Sequence, residues 1–132
     1  MITKLDYGKN GLNIELPDKI TTIIEPTFLP GIADPIGALT NAIRNPIGTL
    51  PLKKLVKSNQ TVGISVCDIT RPMPTSTVLP VLLEELKNIP NEQITIFIAT
   101  GTHRANTRSE LDHMLGNNVR KKYNIINHDA FN

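Results

Sequence analysis

The chain has 132 residues, enough to bury one hydrophobic core and short for a complete two-domain enzyme. Lys and Arg number 14 against 12 Asp and Glu, so the pI near 8.8 rests on a formal charge of only +2. No basic stripe points to nucleic acid as a partner. A single cysteine, Cys67, excludes an internal disulfide framework. The charged start, Met1 to Asp6, and the lack of any long apolar stretch argue against a signal peptide and a membrane span, so a cytoplasmic location is expected.

The first thirty or so residues alternate apolar and polar around Asn10-Gly11, with short runs at Ile14, Leu16, Ile20, Ile23 and Ile24 bounded by Pro17, Pro26 and Pro30. This punctuation predicts a small N-terminal β-meander over residues 1–30, followed by an α/β core over 31–132, the whole forming one domain. Asp34-Pro35 offers an N-cap with proline at the first helical position, Leu39, Ala42 and Ile43 follow at helical spacing, and Asn45-Pro46 ends the segment. A second short helix is expected from Leu52 to Val56. Thr61 to Cys67 is a β-branched run that meets a polar loop, DITRPMP, and so reads as a buried strand.

The hydroxyls of Thr75, Ser76 and Thr77 are candidate N-caps for a helix with an apolar stripe of Val78, Leu79, Leu82, Leu83 and Leu86, and with Glu84, Glu85 and Lys87 facing outward. Pro80 would sit in its first turn, where a missing N–H costs nothing. Gln93 to Thr100 is a second β-branched strand running into Gly101-Thr102-His103-Arg104. Thr107 and Glu110 have capping-box spacing ahead of Leu111, Met114 and Leu115, and Gly116 closes that helix. Arg120-Lys121-Lys122 reads as a solvated turn, and Tyr123 to His128 as a third strand.

Strands alternating with helices indicate an α/β, Rossmann-like parallel βαβ sheet, and the abundance of Ile, Leu and Val suits a sheet packed between helices. In such a fold the loops Asp68–Pro74 and Gly101–Asn106 leave the same carboxyl edge, so Asp68, Arg71 and His103 should converge across one crevice. Arg71 carries a donor fork suited to a carboxylate or phosphate, and Pro72 restricts its backbone; a solvated or Asp68-paired arginine accounts for it as well. His103 is the candidate for proton transfer, with Gly101 allowing a sharp turn beneath it. His113 and His128 read as structural or solvent residues. Cys67, His103, His113 and His128 lack the close spacing of a zinc site, so no metal site is expected from the chain itself.

The two motifs DITRPMP (Asp68–Pro74) and IATGTHR (Ile98–Arg104), supported by Asn45-Pro46-Ile47-Gly48 with Leu52 and by Asn127-His128-Asp129-Ala130, resemble the N-terminal domain of the nickel-dependent lactate racemase family. The resemblance covers most of the chain and implies an isomerase that inverts carbon 2 of a small 2-hydroxy acid. It implies a nickel pincer nucleotide that takes the carbon-2 hydrogen as hydride while a histidine takes the hydroxyl proton. His103 would be one of two acid/base histidines, Arg71 the carboxylate clamp, Asp68 the acidic residue beside it in the substrate site, and Thr70, Thr100 and Gly101 part of the cofactor pocket. The family's second acid/base histidine, its cofactor-attaching lysine and its nickel-ligating histidine have no counterpart in this sequence. The chain is therefore expected to be part of a longer enzyme and inactive alone. The alternative is a non-catalytic anion- or nucleotide-binding α/β module.

Overall fold

The computed structural model describes all residues from Met1 to Asn132, which divide into two units, Met1–Gly31 and Ile32–Asn132. In the first unit β1 (Ile2–Leu5) pairs antiparallel with β2 (Leu12–Glu15), Ile2 opposite Glu15 and Leu5 opposite Leu12. Gly11 closes the turn at φ +73°, and a Cβ there would stand 2.9 Å from the Leu5 carbonyl oxygen, so glycine is required. The expected meander is thus a two-stranded hairpin. Beyond β2 the chain makes a single 3-10 turn at Asp18–Ile20, and Ile23 and Ile24 lie outside any strand. Pro17, Pro26 and Pro30, each without a backbone N–H, bracket this stretch and interrupt any longer run of ladder donors.

The second unit begins with α1 (Pro35–Arg44), capped as expected: Pro35 is the first helical residue and the Asp34 carboxylate accepts from the Gly37 N–H at 2.9 Å. The short α2 (Leu52–Leu55) follows. Three strands, β3 (Val62–Cys67), β4 (Ile94–Ala99) and β5 (Asn124–Asn127), form a parallel sheet in the order β3-β4-β5. The crossovers are α3 (Thr75–Glu85) and the pair α4 (Arg108–Leu115) and α5 (Asn117–Lys122).

Strand order explains where the core lies. Each successive strand adds on the same side of its predecessor, so right-handed crossovers place their helices on one face. Ile64, Ile94, Ile96 and Ile98 project into that face and meet Leu79 and Leu83 of α3, Leu86 at its C-cap and Leu115 of α4. The opposite face carries Ser65, Cys67, Phe97, Ala99 and Ile126, all exposed. Within this chain the sheet is covered by helices on one side, where composition suggested two. Gly63 lets the Phe97 ring lie across β3 on the open side, since an added Cβ would be 3.2 Å from the ring.

Three local expectations change. The hydroxyls of residues 75–77 do not cap α3, which starts after Pro74 without a side-chain cap, so Pro80 falls in the second turn. Pro80 and Ser76 are both exposed, and the Ser76 carbonyl deprived of its i+4 donor is open to water. Glu85, expected outward, is buried and accepts from Arg44 Nε at 2.9 Å and Nη2 at 2.7 Å, tying α1 to α3. The basic segment at 120–122 is the last turn of α5, where cations suit the negative helix end, and Arg120 pairs with Asp112.

Candidate active site

Parallel pairing sets Cys67 opposite Ala99, so the loops following β3 and β4 begin side by side. The first residue past β3 is Asp68, only 4% exposed. Its Oδ1 accepts from the Thr70 hydroxyl at 2.7 Å and from the Thr70 N–H at 3.3 Å, a turn in which the side chain replaces a backbone acceptor. Its Oδ2 lies 2.7 Å from His103 Nδ1, delivered by the loop after β4.

This pair determines the chemistry of the imidazole. An ionised carboxylate only accepts, so Nδ1 carries the proton toward Asp68, and Nε2 of the neutral ring is left as an acceptor. The His103 side chain is 49% exposed, so the ring is only partly covered while Asp68 holds its Nδ1. Hydrogen bonds from His103 and then from Thr70 hold the Asp68 carboxyl below its ordinary range, outweighing the burial that opposes ionisation.

The second loop is rigidly held. Gly101 adopts φ +58°, and the His103 N–H closes the turn onto the Thr100 carbonyl at 3.0 Å. Buried Thr100 donates its hydroxyl to the His128 carbonyl at 2.5 Å, while the His128 N–H donates to the Ile98 carbonyl at 3.0 Å. Asn106 and Asn127 clip the loop to β5: the Asn106 N–H donates to Asn127 Oδ1 at 2.8 Å, and Asn127 Nδ2 donates to the Asn106 carbonyl at 3.2 Å. The Thr107–Glu110 capping box is present, and both Glu110 oxygens receive Arg104. Arg104 is therefore committed within the chain.

Arg71 is not. Its backbone N–H donates to the Asp68 carbonyl at 3.2 Å, but none of the ion pairs of the chain engages its guanidinium. Arg71 lines a cavity of about 150 Å³ together with Asp68, Thr75, Ser76, His113 and Met114. Asp68 is thus bonded to Thr70 and His103 and shares a cavity wall with Arg71, a cavity that His103 does not line. Thr100 and Gly101 shape the backbone leading to His103, with the hydroxyls of Thr70 and Thr100 both spent on internal bonds. The Asn106–Asn127 clip and the position of His113 were not read from the sequence. Paired asparagines carry no spacing signal across 21 residues, and a helical histidine reveals its neighbour only after the helix docks. No three His, Cys, Asp or Glu side chains group closely enough to hold a metal ion.

Residues 7–132 match the family described as the lactate racemase N-terminal domain. A lactate racemase of Thermoanaerobacterium thermosaccharolyticum is 31% identical over 98% of this chain and 31% of its own length. One from Lactiplantibacillus plantarum is 34% identical over 66% of the chain and 21% of its own. The apoprotein structure of a T. thermosaccharolyticum lactate racemase superposes with a TM-score of 0.79 over 98% of this chain and 30% of that one, at 31% identity. The chain spans about a third or less of the length of these relatives. With the family model covering nearly every residue and the fold agreeing, the chain belongs to the lactate racemase N-terminal domain family.

Proposed function

We propose that this domain supplies one wall of the active site of an isomerase that inverts carbon 2 of a small 2-hydroxy acid. The observation that carries the reading is the buried Asp68, which orients half-exposed His103 on one side and on another lines the cavity of an Arg71 that forms no ion pair. Arg71 receives the substrate carboxylate through its fork of N–H donors. His103 Nε2 takes the proton of the carbon-2 hydroxyl, and Asp68 stabilises the imidazolium that results. The carbon-2 hydrogen would leave as hydride to an acceptor outside this chain, and when hydride returns to carbon 2 the same nitrogen gives the proton back. Asp68, expected from the sequence in the substrate site, is in this reading a positioning residue, because its oxygens are occupied by His103 and Thr70.

The chain groups no three metal-ligating side chains, and Thr70 and Thr100 have no free hydroxyl hydrogen for a cofactor, which leaves only the surface at Gly101, where an added Cβ meets nothing within 4 Å. A nickel pincer nucleotide does not fit these residues as a self-sufficient site. The contribution of this chain is carboxylate capture and proton transfer at the hydroxyl oxygen.

The test replaces the matching N-terminal part of the T. thermosaccharolyticum lactate racemase by this chain and measures racemisation of D- and L-lactate. His103→Ala should lower kcat by about 100-fold or more with a smaller effect on KM, the usual yield of a positioned acid/base group. Arg71→Ala should raise KM by roughly 10- to 100-fold, as expected for losing hydrogen bonds to a charged group. A folded chimera with no turnover, or variants that match it, would overturn the reading.

A further inference from the structure

We propose that His113 is a second donor to the anionic headgroup held at Arg71, and so a substrate-holding residue of the site. The inference rests on the reading of Arg71 as the carboxylate clamp. Size comes first. The cavity that Arg71 and His113 both line is about 150 Å³, whereas pockets enclosing whole drug-sized ligands run to roughly 300–1,000 Å³. A small anion held there by Arg71 has His113 on the wall of the same partly open cavity.

Charge comes second. Asp68 is the one acid on the cavity wall, and its two oxygens already accept from His103 and Thr70. The acids that α4 carries near His113 are also committed: Asp112 to Arg120, and Glu110 to Arg104. No ion pair engages His113. The cavity is left with a guanidinium that forms no ion pair, an imidazole and the Ser76 hydroxyl, the Thr75 hydroxyl being given to the Met73 carbonyl at 3.5 Å, and these donors suit an oxyanion. A neutral imidazole still offers one N–H, so the contact does not depend on protonation.

Placement comes third. The face of α4 toward the core is set by Leu115, which is buried, and by Leu111 and Met114, which pack against the core. Asn106 Nδ2 contacts the Met114 sulfur at 3.7 Å, linking this turn of the helix to the clipped loop. His113 thus stands at a determined position on α4, beside the loop that carries Arg71. The adjacent His103 is not among the cavity-lining residues, so capture of the headgroup and proton transfer are divided between neighbouring sides of Asp68.

The experiment titrates the chain with sodium D-lactate, sodium L-lactate and inorganic phosphate, following the His113 ring nitrogens by NMR and the affinity by shift perturbation. Lactate should move the His113 ring resonances. His113→Leu should weaken lactate binding roughly tenfold, the cost of one hydrogen bond to a charged group, and His113→Gln should restore part of it. Because His113 is exposed, both variants should keep the melting temperature of the parent chain. Arg71→Ala with unchanged lactate affinity overturns the clamp reading itself. Loss of binding in Arg71→Ala together with undiminished binding and unmoved ring resonances at His113 overturns this inference alone. Phosphate binding without lactate binding overturns assignment to a carboxylate, and so does no response up to about 100 mM, a hundredfold above a millimolar Kd.

Discussion

Ile98 and Phe97 are adjacent in β4 but face opposite sides of the sheet, at 0% and 40% exposure, which makes them a direct test of one-sided packing. Ile98→Ala removes three buried carbons. At about 0.8 kcal/mol each, transfer alone costs about 2.4 kcal/mol, and the unfilled cavity brings the total to about 3–4 kcal/mol. For a unit of this size each kcal/mol lowers Tm by about 4–8 °C, so a drop of at least about 12 °C is expected. Phe97→Ala deletes a larger side chain, yet its ring rests on β3 with no helix above it. Its cost should be about 1.5 kcal/mol, half or less of that at Ile98, where a fully buried phenylalanine would cost about 3–5 kcal/mol. Thermal unfolding followed by far-UV circular dichroism at fixed concentration gives both values once a single cooperative transition is verified. If Phe97→Ala destabilises as much as Ile98→Ala, both faces are buried and the argument from strand order is wrong.

Two further outcomes follow from the site. In Asp68→Asn the Thr70 N–H and hydroxyl both still donate, so the amide oxygen takes that side and the NH₂ faces His103 Nδ1. Two opposed donors force His103 into the Nε2–H form, which ¹⁵N NMR detects; the same exchange in a serine-protease triad lowers kcat about 10⁴-fold, and an unchanged tautomer would refute the orientation argument. Glu110 is held at about 2, below its usual 4.5, by Arg104 first and by the Thr107 backbone. A depressed folded-state value means that the stabilisation is complete above 4.5 and vanishes as the pH falls to about 2, so parent and Glu110→Gln melting curves should differ at pH 6 and converge near pH 2. A gap that persists at the lowest pH would show that ionisation of Glu110 is not its source.

The parallel βαβ pattern, the Asp34 and Thr107 caps and the two loops at the carboxyl edge were legible in the sequence, because each depends on residues within a few positions of one another. The convergence of Asp68 with His103 was foreseeable in kind, since parallel strands bring successive loops to one edge. That the acid turns toward the imidazole at 2.7 Å, with Thr70 holding its other oxygen, was not. Burial of Glu85 against Arg44, the Asn106–Asn127 clip, the one-sided sheet and the cavity that His113 lines with Arg71 all join residues far apart in the chain. Local propensity and hydrophobic period decide which residues form an element and which edge it leaves. Strand order and helix docking decide what each side chain then faces, because those depend on contacts that exist only after the elements have packed.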